Sequence, residues 1–160
     1  MKRVLLTGMS GVGKSSVAER LSELRYKVVE TDYEGFSVVD EHGNQHWDVD
    51  RVRELLATED ADVLFVVGSD DAQVLFYPEF DHIVLLSAPR DVMVERLAAR
   101  TNNPFGKSSE ELAKILADLE AFEPMMRQAA THEIDTSKPL DRVIDEILSL
   151  VREPPAWRVP

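Results

Sequence analysis

The chain has 160 residues, 44% of them hydrophobic, a net charge of −12 and no cysteine. This length and composition suit one domain with one core, and the lack of cysteine excludes a disulfide framework and thiol chemistry. The negative charge argues against nucleic acid as the main partner, because phosphate backbones select basic surfaces. No apolar stretch is long enough to cross a membrane, so we expect a cytoplasmic protein with no membrane partner.

Strands and helices alternate along the first third of the chain. An apolar run predicts a strand at residues 3–7, and apolar residues at helical spacing predict a helix at 14–24. A short second strand is predicted at 27–30. Residues 34–47 contain a His-Gly-Asn turn and indicate a hairpin or an ordered loop rather than a helix. A helix opened by a capping aspartate follows at 48–58.

The middle of the chain continues the alternation. Residues 63–67 and 83–86 are continuous apolar runs, which are typical of buried parallel strands. A helix is predicted at residues 90–101. Residues 102–108 are dense in turn-forming residues and therefore break the chain after that helix.

The last third adds two helices and one strand. A long helix is predicted at residues 110–128, with Pro124 as its kink or its end. A strand at 133–135 and a helix at 140–151 follow, and residues 153–160 carry three prolines and read as a loose tail. Strands that alternate with helices in this way predict a parallel sheet with helices on both faces.

The most informative segment lies between the first strand and the first helix. Residues 8–15 read Gly-Met-Ser-Gly-Val-Gly-Lys-Ser, the pattern of a phosphate-binding loop in its strand–loop–helix context. Backbone N–H groups of such a loop point at one anion, and the helix N-terminus adds its positive dipole end. Lys14 is expected to reach the β- and γ-phosphates, and the Ser15 hydroxyl is expected to hold Mg²⁺. The predicted nucleotide contacts are Gly8, Ser10, Gly11, Val12, Gly13, Lys14, Ser15 and Ser16.

The order of the motifs resembles that of the small P-loop kinases: shikimate kinase, gluconate kinase, chloramphenicol phosphotransferase and the nucleoside monophosphate kinases, including compact adenylate-kinase-like proteins. The residues that carry the resemblance are 8–16, 30–32, 48–52, 77–86, 94–100 and 133–137. The resemblance implies a three-layer P-loop NTPase fold with a five-stranded parallel sheet. It implies one kinase domain over residues 1–152, with a short lid at about 101–109 and a tail at 153–160. It also implies transfer of the γ-phosphoryl group of ATP to a small acceptor.

Asp32 is the predicted catalytic carboxylate. It follows the second strand, at the edge of the sheet where ligands bind in such folds. In the small-molecule kinases an aspartate at this position faces the phosphate loop. Its predicted role is to orient or deprotonate an acceptor hydroxyl, or to hold Mg²⁺ through water. The alternative is an aspartate that only caps a turn.

Two further regions are expected to contact the nucleotide. Arg96 and Arg100 lie one helical turn apart before the predicted lid, where arginines neutralise charge on the transferring phosphoryl group. Both are predicted to be catalytic, Arg100 also to bind the nucleotide, and Lys107 is a third candidate within the lid. The alternative is a solvated helix face. Thr136 and Ser137 follow the last strand, where the family packs a loop against the adenine.

The residues on the acceptor side leave the acceptor open. Residues 68–73 follow the predicted strand at 63–67 and contain Asp70 and Asp71 but no arginine. Two carboxylates would repel an anionic acceptor and suit a polyol, an amino sugar or another cationic or hydroxyl-rich molecule. Alternatively one of them holds Mg²⁺, or both belong to a solvated turn. Other side chains that could serve the acceptor are Arg51 and Arg53 for a phosphate, and Tyr33 and Trp47 for a ring.

The sequence therefore predicts an ATP- and Mg²⁺-dependent kinase that acts on a small hydroxyl-bearing acceptor. No guanine-reading Asn-Lys-x-Asp segment occurs, which favours ATP over GTP. A nucleoside monophosphate kinase is one alternative, and a regulatory or assembly NTPase is another. The expected partner is a small molecule rather than a nucleic acid or a membrane, and a monomer and a homodimer are both compatible with the sequence.

Overall fold

The computed structural model describes residues 1–33, 35–99 and 108–152. The strands of its central sheet are β1 (Lys2–Thr7), β2 (Lys27–Glu30), β5 (Val63–Val67), β6 (His82–Ser87) and β7 (His132–Asp135). They run parallel in the order β2-β5-β1-β6-β7. Two further strands, β3 (Ser37–Val39) and β4 (Gln45–Trp47), form a separate antiparallel hairpin, the first of the two alternatives, hairpin or ordered loop, that the sequence left open for residues 34–47.

Helices connect the strands of the sheet. The α-helices of the described residues are α1 (Lys14–Glu23), α2 (Val49–Ala57), α3 (Arg90–Ala99), α4 (Ser109–Ala129) and α5 (Leu140–Arg152). A 3₁₀ helix spans Asp71–Glu79 between β5 and β6. None of the helices in the described parts of the chain is long and apolar enough to span a bilayer.

β1 lies at the centre of the sheet because its middle residues, Val4 to Leu6, are apolar on both faces. Leu5 pairs with Val66 on one side and with Ile83 on the other. The neighbouring side chains of Val4 and Leu6 are fully buried, as is that of Leu5. A continuous apolar run of this kind is typical of a strand covered on both faces.

Two cores cover the two faces of the sheet. On one face Leu6 packs with Leu21 of α1 and Ile147 of α5. On the other face Leu5 packs with residues of α2, the hairpin and the 3₁₀ helix, among them Phe76. The predicted three-layer α/β fold with a five-stranded parallel sheet is therefore confirmed.

The 3₁₀ helix Asp71–Glu79 was not predicted, because its apolar residues show no helical period and it contains Pro78. It begins at a capping box instead. The Asp70 carboxylate accepts the N–H of Ala72 at 3.0 Å, and the side chain of Gln73 accepts the N–H of Asp70 at 3.2 Å. This box turns the chain sharply after β5.

The sequence predicted that Pro124 either kinks or ends its helix. The prediction of an end is wrong, because α4 continues past Pro124 to Ala129. The turn that follows Pro124 is held by Arg127, whose guanidinium pairs with Glu123 at 2.7 Å and with Glu133 of β7 at 2.7 Å. These ion pairs stabilise the helix where proline removes a backbone hydrogen bond. The predicted tail, the residues 101–107 of the predicted lid, and with them Arg100 and Lys107, lie outside the described residues.

Candidate functional site

The glycine-rich loop joins β1 to α1 at the carboxyl edge of the sheet. Gly8 lies against the β6 backbone, where a Cβ atom would collide with the carbonyl oxygen of Leu86, so only glycine fits. α1 starts at Lys14 directly after the loop, and no side chain caps its first N–H groups. Those N–H groups and the loop amides therefore form an anion-binding end.

A cavity of about 560 Å³ opens above this loop. Lys14 lies in its wall, and the ammonium group donates a hydrogen bond to the carbonyl oxygen of Gly8 at 2.5 Å. The Ser15 hydroxyl belongs to an exposed residue in the first turn of α1. The cavity is lined by residues 9–17, Glu30, Asp32, Tyr33, Val67, Gly68, Arg96, Ala99, Thr136, Lys138, Leu140 and Val143.

Asp32 reaches this cavity from the end of β2. Its Oδ1 atom accepts a hydrogen bond from the indole Nε1 of Trp47 at 3.4 Å, and its carboxylate also accepts the N–H of Ser69. Burial raises the pKa of Asp32, although the charge of Lys14 and these two hydrogen bonds act in the opposite direction. The structure thus brings Asp32 and Lys14 together at one cavity.

Gly68 is a site residue that the sequence analysis missed. A Cβ atom at this position would collide with Oγ1 of Thr31 and lie 3.3 Å from Oδ1 of Asp32. Thr31 is fully buried, so it has no room to withdraw. The signal in the sequence was a glycine at the end of a buried strand, where a close backbone approach is common.

We expect Gly68→Ala to displace Thr31 and Asp32 and to lower the free energy of unfolding by about 1–3 kcal/mol, as for other overpacked cores. Denaturant unfolding and the crystal structure of the variant would measure both effects. Gly43→Ala is the control for the displacement only, because a Cβ atom there meets nothing within 4 Å, whereas its φ of +80° destabilises an alanine for a separate reason. An Asp32 side chain that stays in place in Gly68→Ala would contradict the prediction.

Arg96 and Thr136, which both line the cavity, bind the backbone of the phosphate loop. The Arg96 guanidinium donates to the carbonyl oxygen of Val12 at 3.2 Å, to Oγ1 of Thr136 at 2.9 Å and to the Thr136 carbonyl oxygen. The Thr136 hydroxyl donates to the same Val12 carbonyl oxygen at 2.6 Å. Arg96, predicted as a cation over the phosphoryl group, thus contacts the loop backbone and the segment after β7. The sequence analysis predicted only that the loop with Thr136 packs against the adenine, so it missed the role of this side chain.

Thr136→Val removes this hydroxyl without changing the shape of the side chain. We expect the nucleotide dissociation constant to rise by up to about tenfold, because the Val12 carbonyl then keeps only the Arg96 donor and the phosphate loop is less rigidly preorganised for the nucleotide. Calorimetric titration with ATP measures it. Thr131→Val is the control, because its hydroxyl bonds Ile83 at the other end of β6. Equal affinities of all three proteins would contradict a role for Thr136 in shaping the loop.

The two candidate acceptor arginines are engaged by other groups. Arg51 donates to the carbonyl oxygen of Gly35 at 3.0 Å and lies 3.6 Å from the Asp48 carboxylate. The Arg53 guanidinium lies 5.4 Å from the centre of the Phe76 ring, a cation–π contact. Neither arginine is among the residues that line the cavity.

The two aspartates after β5 differ from each other. The Asp70 side chain is only 9% exposed, caps the 3₁₀ helix and lies 3.5 Å from Nδ1 of His46. It is therefore not part of a solvated turn, whereas Asp71 is exposed in the first turn of that helix. Of the two candidate ring-stacking residues, Tyr33 lines the cavity and is 54% exposed, and Trp47 is buried.

Oxygen donors suited to Mg²⁺ are present near the loop. No group of three or more His, Cys, Asp or Glu able to hold a metal ion occurs in the described part of the chain. Mg²⁺ bound with a nucleotide needs only one or two protein oxygens, because waters and phosphate oxygens complete its shell. The Ser15 hydroxyl and the Asp32 carboxylate both line the cavity, so the donor set fits this ion.

The loop, the helix it opens and the parallel sheet together define a P-loop NTPase domain. The sequence model of the AAA domain family matches residues 4–117. Shikimate kinase 2 of Yersinia enterocolitica is 27% identical over 94% of this chain and 95% of its own length. The Archaeoglobus fulgidus protein named "Putative adenylate kinase" is 31% identical over 93% of this chain and 82% of its own.

Solved structures agree with this likeness in fold. Shikimate kinase from Acinetobacter baumannii in complex with shikimate has a TM-score of 0.68 at 20% identity and covers 94% of this chain and 93% of its own. A gluconokinase from Sinorhizobium meliloti has a TM-score of 0.63 at 22% identity, and the match covers 94% of this chain and 91% of the gluconokinase. The chain belongs to the AAA domain family and to the small P-loop kinases, which are phosphotransferases.

Proposed function

We propose that the protein uses ATP and Mg²⁺ to phosphorylate a hydroxyl group of a small molecule. The observation that carries this proposal is the position of Asp32, whose carboxylate faces Lys14 across one cavity above the phosphate loop. A lysine that neutralises phosphate charge, next to a carboxylate able to accept a proton, is the pair that phosphoryl transfer to a hydroxyl requires.

Each residue has a separate role in the proposed reaction. The loop amides and Lys14 bind the phosphates, and Ser15, with Asp32 through water, would hold the metal ion, which neutralises developing charge. Asp32 accepts the proton of the acceptor hydroxyl while the oxygen of that hydroxyl forms a bond to the γ-phosphorus. The bond from that phosphorus to the bridging oxygen breaks, and the electron pair leaves with ADP. Burial keeps the pKa of Asp32 raised, which makes it a better proton acceptor than an ordinary aspartate.

Arg96 and Thr136 serve this reaction through the backbone of the loop. They fix the Val12 carbonyl and hold the segment after β7 against the phosphate loop. We propose that this segment, with Thr136 and Ser137, packs against the adenine. Arg96 is accordingly a positioning residue in the proposal rather than a direct contact of the phosphoryl group.

The acceptor we propose is neutral or cationic. Support comes from the engagement of Arg51 and Arg53 by other groups, and from Asp70, whose carboxylate is close enough to Asp32 to raise its pKa further. A nucleoside monophosphate kinase is the second candidate, favoured by the 31% identity to the Archaeoglobus fulgidus protein. The acceptor of such a kinase carries a phosphate group, which needs a cationic side chain to bind it.

A screen of acceptors with ADP release as the readout tests the proposal. The panel holds neutral polyols, amino sugars, shikimate, gluconate and AMP. Stimulation by a neutral or cationic hydroxyl compound supports the proposed class. Efficient phosphorylation of AMP, lost in Arg51→Ala or Arg53→Ala, would replace it with the second candidate. Slow ATP hydrolysis that no acceptor stimulates would indicate an NTPase with a protein partner instead.

A further inference from the structure

The β3–β4 hairpin is bound to the segment that carries Asp32. The side-chain amide of Gln45 donates to the carbonyl oxygen of Asp32, and the Ser37 hydroxyl donates to the carbonyl oxygen of Thr31 at 2.6 Å. The third contact is the indole N–H of Trp47, which donates to Oδ1 of Asp32 at 3.4 Å. The hairpin thus bonds both main-chain and side-chain atoms of the Asp32 segment.

The indole that makes the third contact is itself fixed. Trp47 is 3% exposed, and its ring lies 6.4 Å from the ring of the fully buried Phe76. It belongs to the core formed with α2 and the central strand β1. A buried tryptophan needs a partner for its single N–H, and here that partner is the Asp32 carboxylate.

The carboxylate is held from two directions. Trp47 donates from the hairpin, and the N–H of Ser69 donates from the loop after β5. Gly68 keeps that loop close, because a side chain there would collide with Thr31 and press on Oδ1 of Asp32. Two donors on separate elements restrict rotation of the carboxylate and so fix the direction of its free lone pairs.

We propose that Trp47 is a positioning residue, whose indole N–H orients the Asp32 carboxylate towards the acceptor hydroxyl. This inference rests on the proposed role of Asp32 as the proton acceptor. Misorientation of a catalytic group lowers the rate of the chemical step more than the binding of the nucleotide. Packing alone would require only an aromatic ring at this position, whereas positioning requires the N–H.

Trp47→Phe separates these two roles, because phenylalanine keeps an aromatic ring and lacks the donor. With ATP as substrate and water in place of the acceptor hydroxyl, we expect kcat for ADP release to fall about tenfold and the KM for ATP to stay within about twofold, the pattern of lost orientation. Asp32→Asn should show the same split, with a larger loss.

A nuclear magnetic resonance measurement tests the contact without relying on the folding of Trp47→Phe. The chain has two tryptophans, so Trp157→Phe leaves Trp47 as the source of the indole N–H resonance. In that background we expect Asp32→Asn to shift this resonance. Asp48→Asn is the control, because asparagine caps a helix as well as aspartate does; it removes a neighbouring charge and its contact with Arg51 and leaves the Asp32 carboxylate in place.

The possible failures are distinguishable. Unchanged kcat in Trp47→Phe, or an indole resonance that does not respond to Asp32→Asn, overturns the positioning role and leaves Asp32 as the proposed base. Full activity of Asp32→Asn overturns the proposed base and the positioning role together. A fall in kcat that is matched by an equal rise in the KM for ATP in Trp47→Phe would assign Trp47 a purely structural role.

Discussion

Lys14→Ala is expected to lower kcat at least about 10³-fold and to weaken ATP binding sharply, because it removes the charge that compensates the β- and γ-phosphates. The fold should persist, since the Lys14 side chain is only partly buried and its ammonium group bonds to the carbonyl oxygen of Gly8 in its own loop. ADP release measures the loss of turnover. Calorimetric titration measures the loss of ATP affinity, and circular dichroism tests whether the fold persists.

Lys27→Ala is the matched control for charge. Lys27 pairs with Asp60 at 2.6 Å, at the start of β2 and away from the cavity. This variant should bind ATP as the wild type does, even if its stability falls slightly. Unchanged affinity and turnover in Lys14→Ala would show that the loop does not bind the phosphates of the substrate.

Asp32→Asn is expected to lower kcat by about 10²-fold or more, the contribution typical of a positioned general base, and to leave the affinity for ATP nearly unchanged. The measurement is ADP release with the acceptor from the screen held at saturation. Asp48→Asn again serves as the control, because it removes a carboxylate outside the cavity. Full turnover of Asp32→Asn would mean that the carboxylate only caps a turn.

The stability of Asp32→Asn follows from the same pKa. Burial raises the pKa of Asp32, so the folded state binds this proton more tightly than the unfolded state does. Ionisation of Asp32 therefore opposes folding once the pH exceeds the pKa of an aspartate in the unfolded chain. At neutral pH the asparagine variant should be at least as stable as the wild type.

The same raised pKa affects turnover. For the wild type, kcat should fall on acidification at a higher pH than an ordinary aspartate would give.

The sheet could be predicted from the sequence because each of its strands is defined locally. Residues 63–67 and the central strand are continuous apolar runs, and their bounds agree with the structure to within one residue. The phosphate loop was equally predictable, since its glycines, lysine and serine are adjacent in the chain. Local patterns of this kind do not depend on which distant residues later become neighbours.

The remaining site contacts depend on distant pairs of residues. Thr136 and Val12 lie 124 positions apart, and Arg96 lies 84 positions from Val12, so spacing could not indicate that they meet. The indole of Trp47 and the carboxylate of Asp32 meet because a hairpin folds back between them. The capping box at Asp70 was missed for another reason: it initiates a 3₁₀ helix, which has no 3.6-residue period.

The strand order also determines when the site comes into existence during synthesis. β1 leaves the ribosome first, yet Lys2 pairs with Val63 and Val4 pairs with His82, so the central strand waits for more than half of the chain. Pairing over such separations makes folding slow. The last edge forms only when His132 reaches Val84. We therefore expect nascent chains that end before β7 to lack nucleotide affinity, so that nucleotide binding reports completion of the sheet.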